Sequence, residues 1–265
     1  MTTQLIITEN NLSVAWAKAF LMLMEVSKGE CQPAVVSIKL PANLEAFELK
    51  AIRDLLDQYL AKHDKNSTET VAGTLFPRSM WNPALSDDAE VLFRRYEKAW
   101  PGIKKCPTNR NGVYFQRLMA FRPKGFEGDP VNQLRYIIET YAAGNHRRSA
   151  LQASILDPTR DQNNNRQKGF PCLQQVSFAR EGENGLAITG FYAMQYQLEK
   201  AYGNYLGLYS LGMFMAKQLG LRLTQMTCIA SVLKLGDSTK TELQAFTNDL
   251  QGLLRASGYV DSVNP

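Results

Sequence analysis

Cys172 follows Pro171 at the point where a polar loop gives way to an extended, half-apolar run, GFPCLQQVSF at 169–178. A thiol attacks as its thiolate, and a nearby cation favours that charged form, so the placement points to covalent catalysis. Cysteine is also among the most buried residue types, and Cys31, Cys106 and Cys228 read as small apolar residues of that kind. Two other groups could serve a nucleophile. His146-Arg147-Arg148 is a basic cluster set between a helix end and a strand. Planar guanidinium groups make paired bonds to phosphate or carboxylate; arginines at a helix end also bond the last carbonyls and stay solvated. Asn204 opens a long helix. A buried asparagine needs partners for both its carbonyl and its amide, which a ligand with adjacent donor and acceptor supplies, as does a local turn or backbone.

The elements that must position these residues follow from periodicity. NLSVAWAKAFLMLMEV (11–26) places Leu12, Trp16, Phe20 and Leu23 on one side of a buried helix. PAVVSIKL (33–40) is a β-branched strand, leading through Pro41 and Asn43 into a helix over 44–62 with Leu44, Phe47, Leu55 and Tyr59 on one face. SDDAEVLFRRYEKAW (86–100) is a helix with Ser86 as N-cap and acids in its first turn, stopped by Pro101 and Gly102. GTLFPRSMWNP (73–83) and NRNGVYFQRLMAFRP (109–123) mix aromatic residues with turn formers and read as short strands and loops. A helix over 131–144 is punctuated by Pro130 and Gly144. Extended runs follow at 149–156, 172–179, 185–196 and 225–235, broken by a helix over 199–219 that ends at Gly220. A last helix over 241–257 begins with Thr239 and Glu242 in capping-box relation.

At 265 residues with 45% hydrophobic content, the chain can bury a sizeable core, and one mixed α/β domain over 1–265 is the economical reading. The net charge of +5 is spread without a Lys/Arg block, which suits a small anionic ligand better than a nucleic-acid coat or a membrane surface. Contact of the basic loop at 160–168 with nucleic acid is disfavoured by the lack of interleaved aromatics. The four cysteines and two histidines show no metal-ligand spacing, so no metal site is expected. No segment is apolar over the length of a membrane span, and a cytoplasmic protein with reduced thiols is the expectation.

In this order, RRSALQAS, PCLQQVSF and GNYLGLYSLGMFMAKQLGL resemble the catalytic half of thymidylate synthase and its pyrimidine hydroxymethylase relatives, over about 110 to 235. The resemblance rests on Arg147-Arg148, Pro171-Cys172, Phe178 and Asn204 with their spacing. It implies a thymidylate-synthase-like mixed sheet flanked by helices, and a homodimer in which Arg147 and Arg148 reach the neighbouring subunit to hold the phosphate of a pyrimidine nucleotide. Cys172 would add to carbon six of the ring, Asn204 would read its amide edge, and methylenetetrahydrofolate would be the one-carbon donor. The chain departs from the family pattern at several positions. Ala193 stands where the family has a phosphate-binding arginine, Tyr196 where it has the folate-positioning aspartate, and Leu173 where a histidine follows the Pro-Cys pair. IASVLKLG replaces the segment carrying the sugar-binding His and Tyr. Neither the family's N-terminal catalytic glutamate nor its short apolar closing peptide is recognisable, since residues 1–90 do not align and the tail reads SGYVDSVNP. Two functions follow: a transferase acting at carbon five of a pyrimidine nucleotide, or a catalytically inactive nucleotide-binding or scaffold homologue that keeps the dimeric fold.

Overall fold

The computed structural model describes residues 3–40, 47–84, 88–109, 112–144, 146–162 and 171–259. Among them the order is β1 (Thr3–Glu9), α1 (Leu12–Glu25), β2 (Glu30–Lys39), α2 (Lys50–Lys62), α3 (Thr68–Leu75), α4 (Ala89–Lys104), α5 (Tyr114–Met119), α6 (Gln133–Ala142), β3 (Gln152–Ser154), α7 (Pro158–Asp161), β4 (Leu173–Glu181), β5 (Gly185–Tyr192), β6 (Gln195–Tyr196), α8 (Tyr202–Gln218), β7 (Arg222–Ala230), β8 (Leu233–Lys234) and α9 (Gln244–Ala256). The class is mixed α/β. The chain groups into two compact units. One holds the described residues of 1–72, 192–206 and 224–265; the other holds those of 73–191 and 207–223.

In the first unit β2 is the central strand. β1 runs parallel along one edge, with Ile6 opposite Val35, and β7 runs antiparallel along the other, with Val36 opposite Cys228. β8 continues the β7 edge after a break, and β6 pairs parallel to it. Alternation sends Leu5, Ile7, Val36, Ile38, Met226 and Cys228 into the core. The helix α1 packs against β1 and β2 and is apolar almost all round, so it is buried, as expected for such a composition. Its Trp16 donates Nε1–H to the Gln197 carbonyl at 2.9 Å while Gln197 Nε2 donates to the Trp16 carbonyl at 2.8 Å, locking α1 to the turn before α8. Trp16, Phe20, Tyr59, Tyr202 and Phe246 form the aromatic centre of this unit.

The second unit pairs β3 with β4 antiparallel and β4 with β5, and packs α5 against α6 and β3. Phe76, Trp81, Phe93, Tyr96, Phe115 and Phe214 fill its interior. Gly212 of α8 permits close packing here, because a Cβ would stand 2.8 Å from Leu223 Cδ1 and 3.1 Å from Ile188 Cγ2.

Several elements differ from the sequence reading. Within the runs 73–83 and 109–123, expected as short strands and loops, residues 73–75 end the helix α3 that begins at Thr68, and 114–119 form α5. In α3 the β-branched Thr68, Thr70 and Val71 favour a strand locally, but Ser67 Oγ accepts from Thr70 N–H at 3.2 Å and Asp57 Oδ1 accepts from Thr68 N–H at 2.7 Å, so capping prevails. α4 passes through Pro101 to Lys104, since proline removes a single hydrogen bond one turn from the end. Ser86, expected as its N-cap, lies outside the described residues, as do Pro41, Asn43 and Leu44; Asp88 caps α4, accepting from Glu90 N–H at 2.8 Å. The runs 185–196 and 225–235 each divide into two strands, and a π-turn at Gln197–Ala201 precedes α8. β1 precedes the first element that periodicity picks out, the helix at 11–26.

Candidate functional site

Cys172 is the residue before β4 and is half-buried. β4 enters the core with Leu173, fully buried, which explains why an apolar residue follows the cysteine. The first residue of α5, Tyr114, brings its phenol against this point: the oxygen faces the backbone N–H groups of Leu173 and Cys172, and the Cys172 side chain is close enough to act on its charge. Burial raises the Tyr114 phenol well above its ordinary value, and the cysteine adds to that shift, opposed by the two N–H groups and by Arg117. Tyr114 therefore stays a protonated phenol near neutral pH, a hydrogen-bond donor beside a thiol.

One turn along α5, Arg117 is buried and paired with the buried Asp161 of α7, Nη2 to Oδ1 at 2.7 Å, while its Nη1 donates to the Ile155 carbonyl at 2.9 Å. Gln133 of α6 donates to the Arg117 carbonyl at 3.0 Å. These bonds fix α5, and with it Tyr114, against the chain between β3 and β4. Tyr114, Arg117 and Asp161 are the residues that the sequence reading missed. Asp157-Pro158 was a legible signal, an N-cap followed by proline at the first helical position; Asp157 Oδ1 accepts from Thr159 N–H at 3.1 Å.

Arg147 and Arg148 are exposed on a turn leading to β3. Arg147 lines a surface pocket of about 420 Å³ with Tyr136, Thr140, His146 and Ser149, and Cys172 is not in that lining. Asn204 is buried in the first turn of α8 and belongs to the first unit, whereas Cys172 and the arginines belong to the second. Its neighbour Tyr202 shares a hydrogen bond of 2.7 Å with Ser13 and donates to Glu48 at 2.9 Å. Tyr196 is half-buried on β6, and no carboxylate lies in 192–196; the next one in sequence, Glu199, accepts from Asp237 N–H at 3.0 Å.

The other cysteines have different surroundings. Cys31 and Cys228 are buried, and burial raises both thiols, Cys228 to about 12. Cys106 is exposed, and hydrogen bonds from the Thr108 hydroxyl and the Thr108 and Asn109 N–H groups lower its thiol. Among the described residues no cluster of three His, Cys, Asp or Glu side chains could hold a metal, and no helix is long and apolar enough to cross a membrane. No protein-family model matches this chain, and no curated protein matches it.

Proposed function

We propose that this chain is a divergent thymidylate-synthase-like protein that acts at carbon five of a pyrimidine nucleotide with Cys172 as nucleophile. The observation that carries the reading is the Tyr114 phenol held against Cys172 at the head of β4. The thiolate adds to carbon six, forming the C–S bond, and the ring electrons move to carbon five, which becomes nucleophilic. A protonated phenol at that place can exchange a proton with the ring. The residues present do not fit methylenetetrahydrofolate, because 192–196 offers Tyr196 and no carboxylate for the folate, so no step is routed through it.

Arg147 and Arg148 suit the nucleotide phosphate of a second copy's site, since both are exposed and the pocket that Arg147 lines does not include Cys172. Homodimerisation is further supported by the open face of the first unit's sheet. Ile6, 67% exposed, stands in register with Val35, and Val35 with Ile229. The next row is Thr8, Ser37 and Thr227. Both rows are uncharged, so a second copy meets them without burying charge. Light scattering tests this: Val35→Lys converts a dimer to monomers, and a wild-type monomer at micromolar concentration refutes it.

Hydrogen exchange at carbon five needs no donor, because addition, protonation, deprotonation and elimination restore the nucleotide. In D2O, the carbon-five proton signal of a uridine or cytidine monophosphate, in the ribo or deoxy form, decays with wild-type protein, more slowly with Tyr114→Phe, and not at all with Cys172→Ala. Absence of exchange and of a 5-fluoropyrimidine adduct in intact-mass spectrometry refutes catalysis. The second reading, a nucleotide binder without turnover, is favoured by Leu173 and Tyr196 at positions the family uses for chemistry. It then predicts that nucleotides raise the melting temperature of Cys172→Ala as much as that of wild type.

A further inference from the structure

In the second unit, away from the lining of the Arg147 pocket, a cavity of about 230 Å³ is bounded by Trp100, Lys104, Gly112, Gln116, Ala120, Arg122, Pro130 and Arg160. Its cations come from three separate segments: the end of α4, the chain after α5, and α7. The lining contains no acid. Of the acids flanking Arg160, Asp157 accepts from the N–H groups of Thr159 and Lys124, and Asp161 pairs with Arg117. Two carbonyls of the last turn of α4, which would repel an anion, are also satisfied. Ile103 accepts from Asn109 Nδ2 at 3.1 Å and from Cys106 N–H at 3.3 Å, and Gly102 accepts from Lys105 N–H at 3.1 Å.

Two side chains are pre-positioned. Arg122 donates Nε–H to the Phe126 carbonyl at 3.0 Å, which orients the guanidinium, and its terminal nitrogens hold no other partner among the described residues. Gly112 sits at φ +93°, and a Cβ there would stand 3.1 Å from Gln116 Oε1, so glycine leaves room for the amide. Among the described residues neither Lys104 nor Arg122 has an ion pair. Three cations and an amide around a space smaller than that of drug-sized ligands select a compact dianion, and Trp100 and Pro130 supply an apolar wall for a short carbon skeleton.

We propose that this cavity is a binding site for a small soluble phosphate monoester, separate from the Cys172 site and independent of the function proposed above. Equilibrium dialysis and Trp fluorescence with ribose 5-phosphate and with inorganic phosphate test it, at constant ionic strength in chloride. The Arg147→Gln/Arg148→Gln background removes phosphate held at those arginines. One molar equivalent of the sugar phosphate binds, more tightly than inorganic phosphate. Arg122→Gln/Arg160→Gln weakens binding at least about tenfold and Lys104→Gln several-fold, as the loss of charge-assisted contacts requires. Circular dichroism checks that the variants fold, and Lys104→Gln alone decides the matter if the double variant does not. No binding at millimolar ligand, binding that chloride abolishes, or unchanged affinity in these variants overturns the proposal. Because Cys172→Ala retains the site, its failure is distinct from failure of nucleotide chemistry.

Discussion

Replacing Asp161 by Asn tests the pair that holds α5 in place. Asp161 and Arg117 are 4% and 5% exposed, and they meet through Nη2 to Oδ1 at 2.7 Å and a second bond from Nη1. Asparagine keeps the volume and one acceptor oxygen but leaves the guanidinium charge buried without its counter-charge. Loss of one partner of such a pair costs about 3–5 kcal/mol. The Ile155 carbonyl still accepts from Nη1 at 2.9 Å, which places the cost near the lower end, about 3 kcal/mol. For a chain of this size that lowers the melting temperature by about 6–12 °C. Urea unfolding of Asp161→Leu, Arg117→Met and the double variant Arg117→Met/Asp161→Leu closes a cycle beside Asp161→Asn. The double variant removes both charges of the pair and stands within about 1–2 kcal/mol of wild type. Its residual loss is the acceptor that Asp161 Oδ2 provides to Asp157 N–H at 2.9 Å, together with the Arg117 charge that favours the buried Asp157 carboxylate. A single variant that loses under about 1 kcal/mol, or a double variant whose loss equals the sum of the singles, refutes the reasoning.

Three other outcomes are expected. In alkylation followed by peptide mass spectrometry, exposed Cys106 reacts first and keeps its rate to lower pH than an ordinary thiol, Cys172 follows, and Cys31 and Cys228 react on unfolding; native-state labelling of Cys228 ahead of Cys172 contradicts this. Gly203→Ala loses about 1–3 kcal/mol, because its Cβ would stand 2.5 Å from Val71 Cβ and 2.6 Å from the Thr68 carbonyl oxygen. Gly252→Ala, with open space in α9, gains up to about 1 kcal/mol, and thermal melts of the two variants must move in opposite directions. Burial pushes the Asp157 carboxyl up, but the Thr159 hydroxyl, the N–H groups of Lys124 and Thr159, and Arg117 outweigh it and hold it below its ordinary value of 3.8. The stability it contributes is present above that value and lost as pH falls through the lower folded one. Asp157→Asn therefore shows a shallower fall in urea midpoint between about pH 5 and about pH 2 than wild type, and equal slopes would count against it.

Periodicity made much of the fold legible. The helix read at 11–26 and the strand at 33–40 match α1 and β2 because each carries its whole signal locally, a 3.6-residue or two-residue apolar repeat. Thr239 and Glu242 exchange hydrogen bonds of 2.8 and 3.3 Å as their spacing implied. Where local signals conflicted, tertiary structure decided. Residues 68–75 have strand-like composition and become a helix because Asp57, eleven residues earlier, accepts from the Thr68 N–H and hydroxyl.

By itself the sequence determined the residue types available for chemistry: one cysteine after a proline, two adjacent arginines, an asparagine opening a helix. It could not determine which of them are neighbours. Tyr114 lies far from Cys172 in sequence, and Arg117 lies 44 positions from Asp161, yet each pair meets in space. Nothing in a local repeat encodes such proximity, because it depends on which faces of α5, α7 and β4 bury together. The same packing leaves Arg147 and Arg148 on the surface and Asn204 in a different compact unit from Cys172.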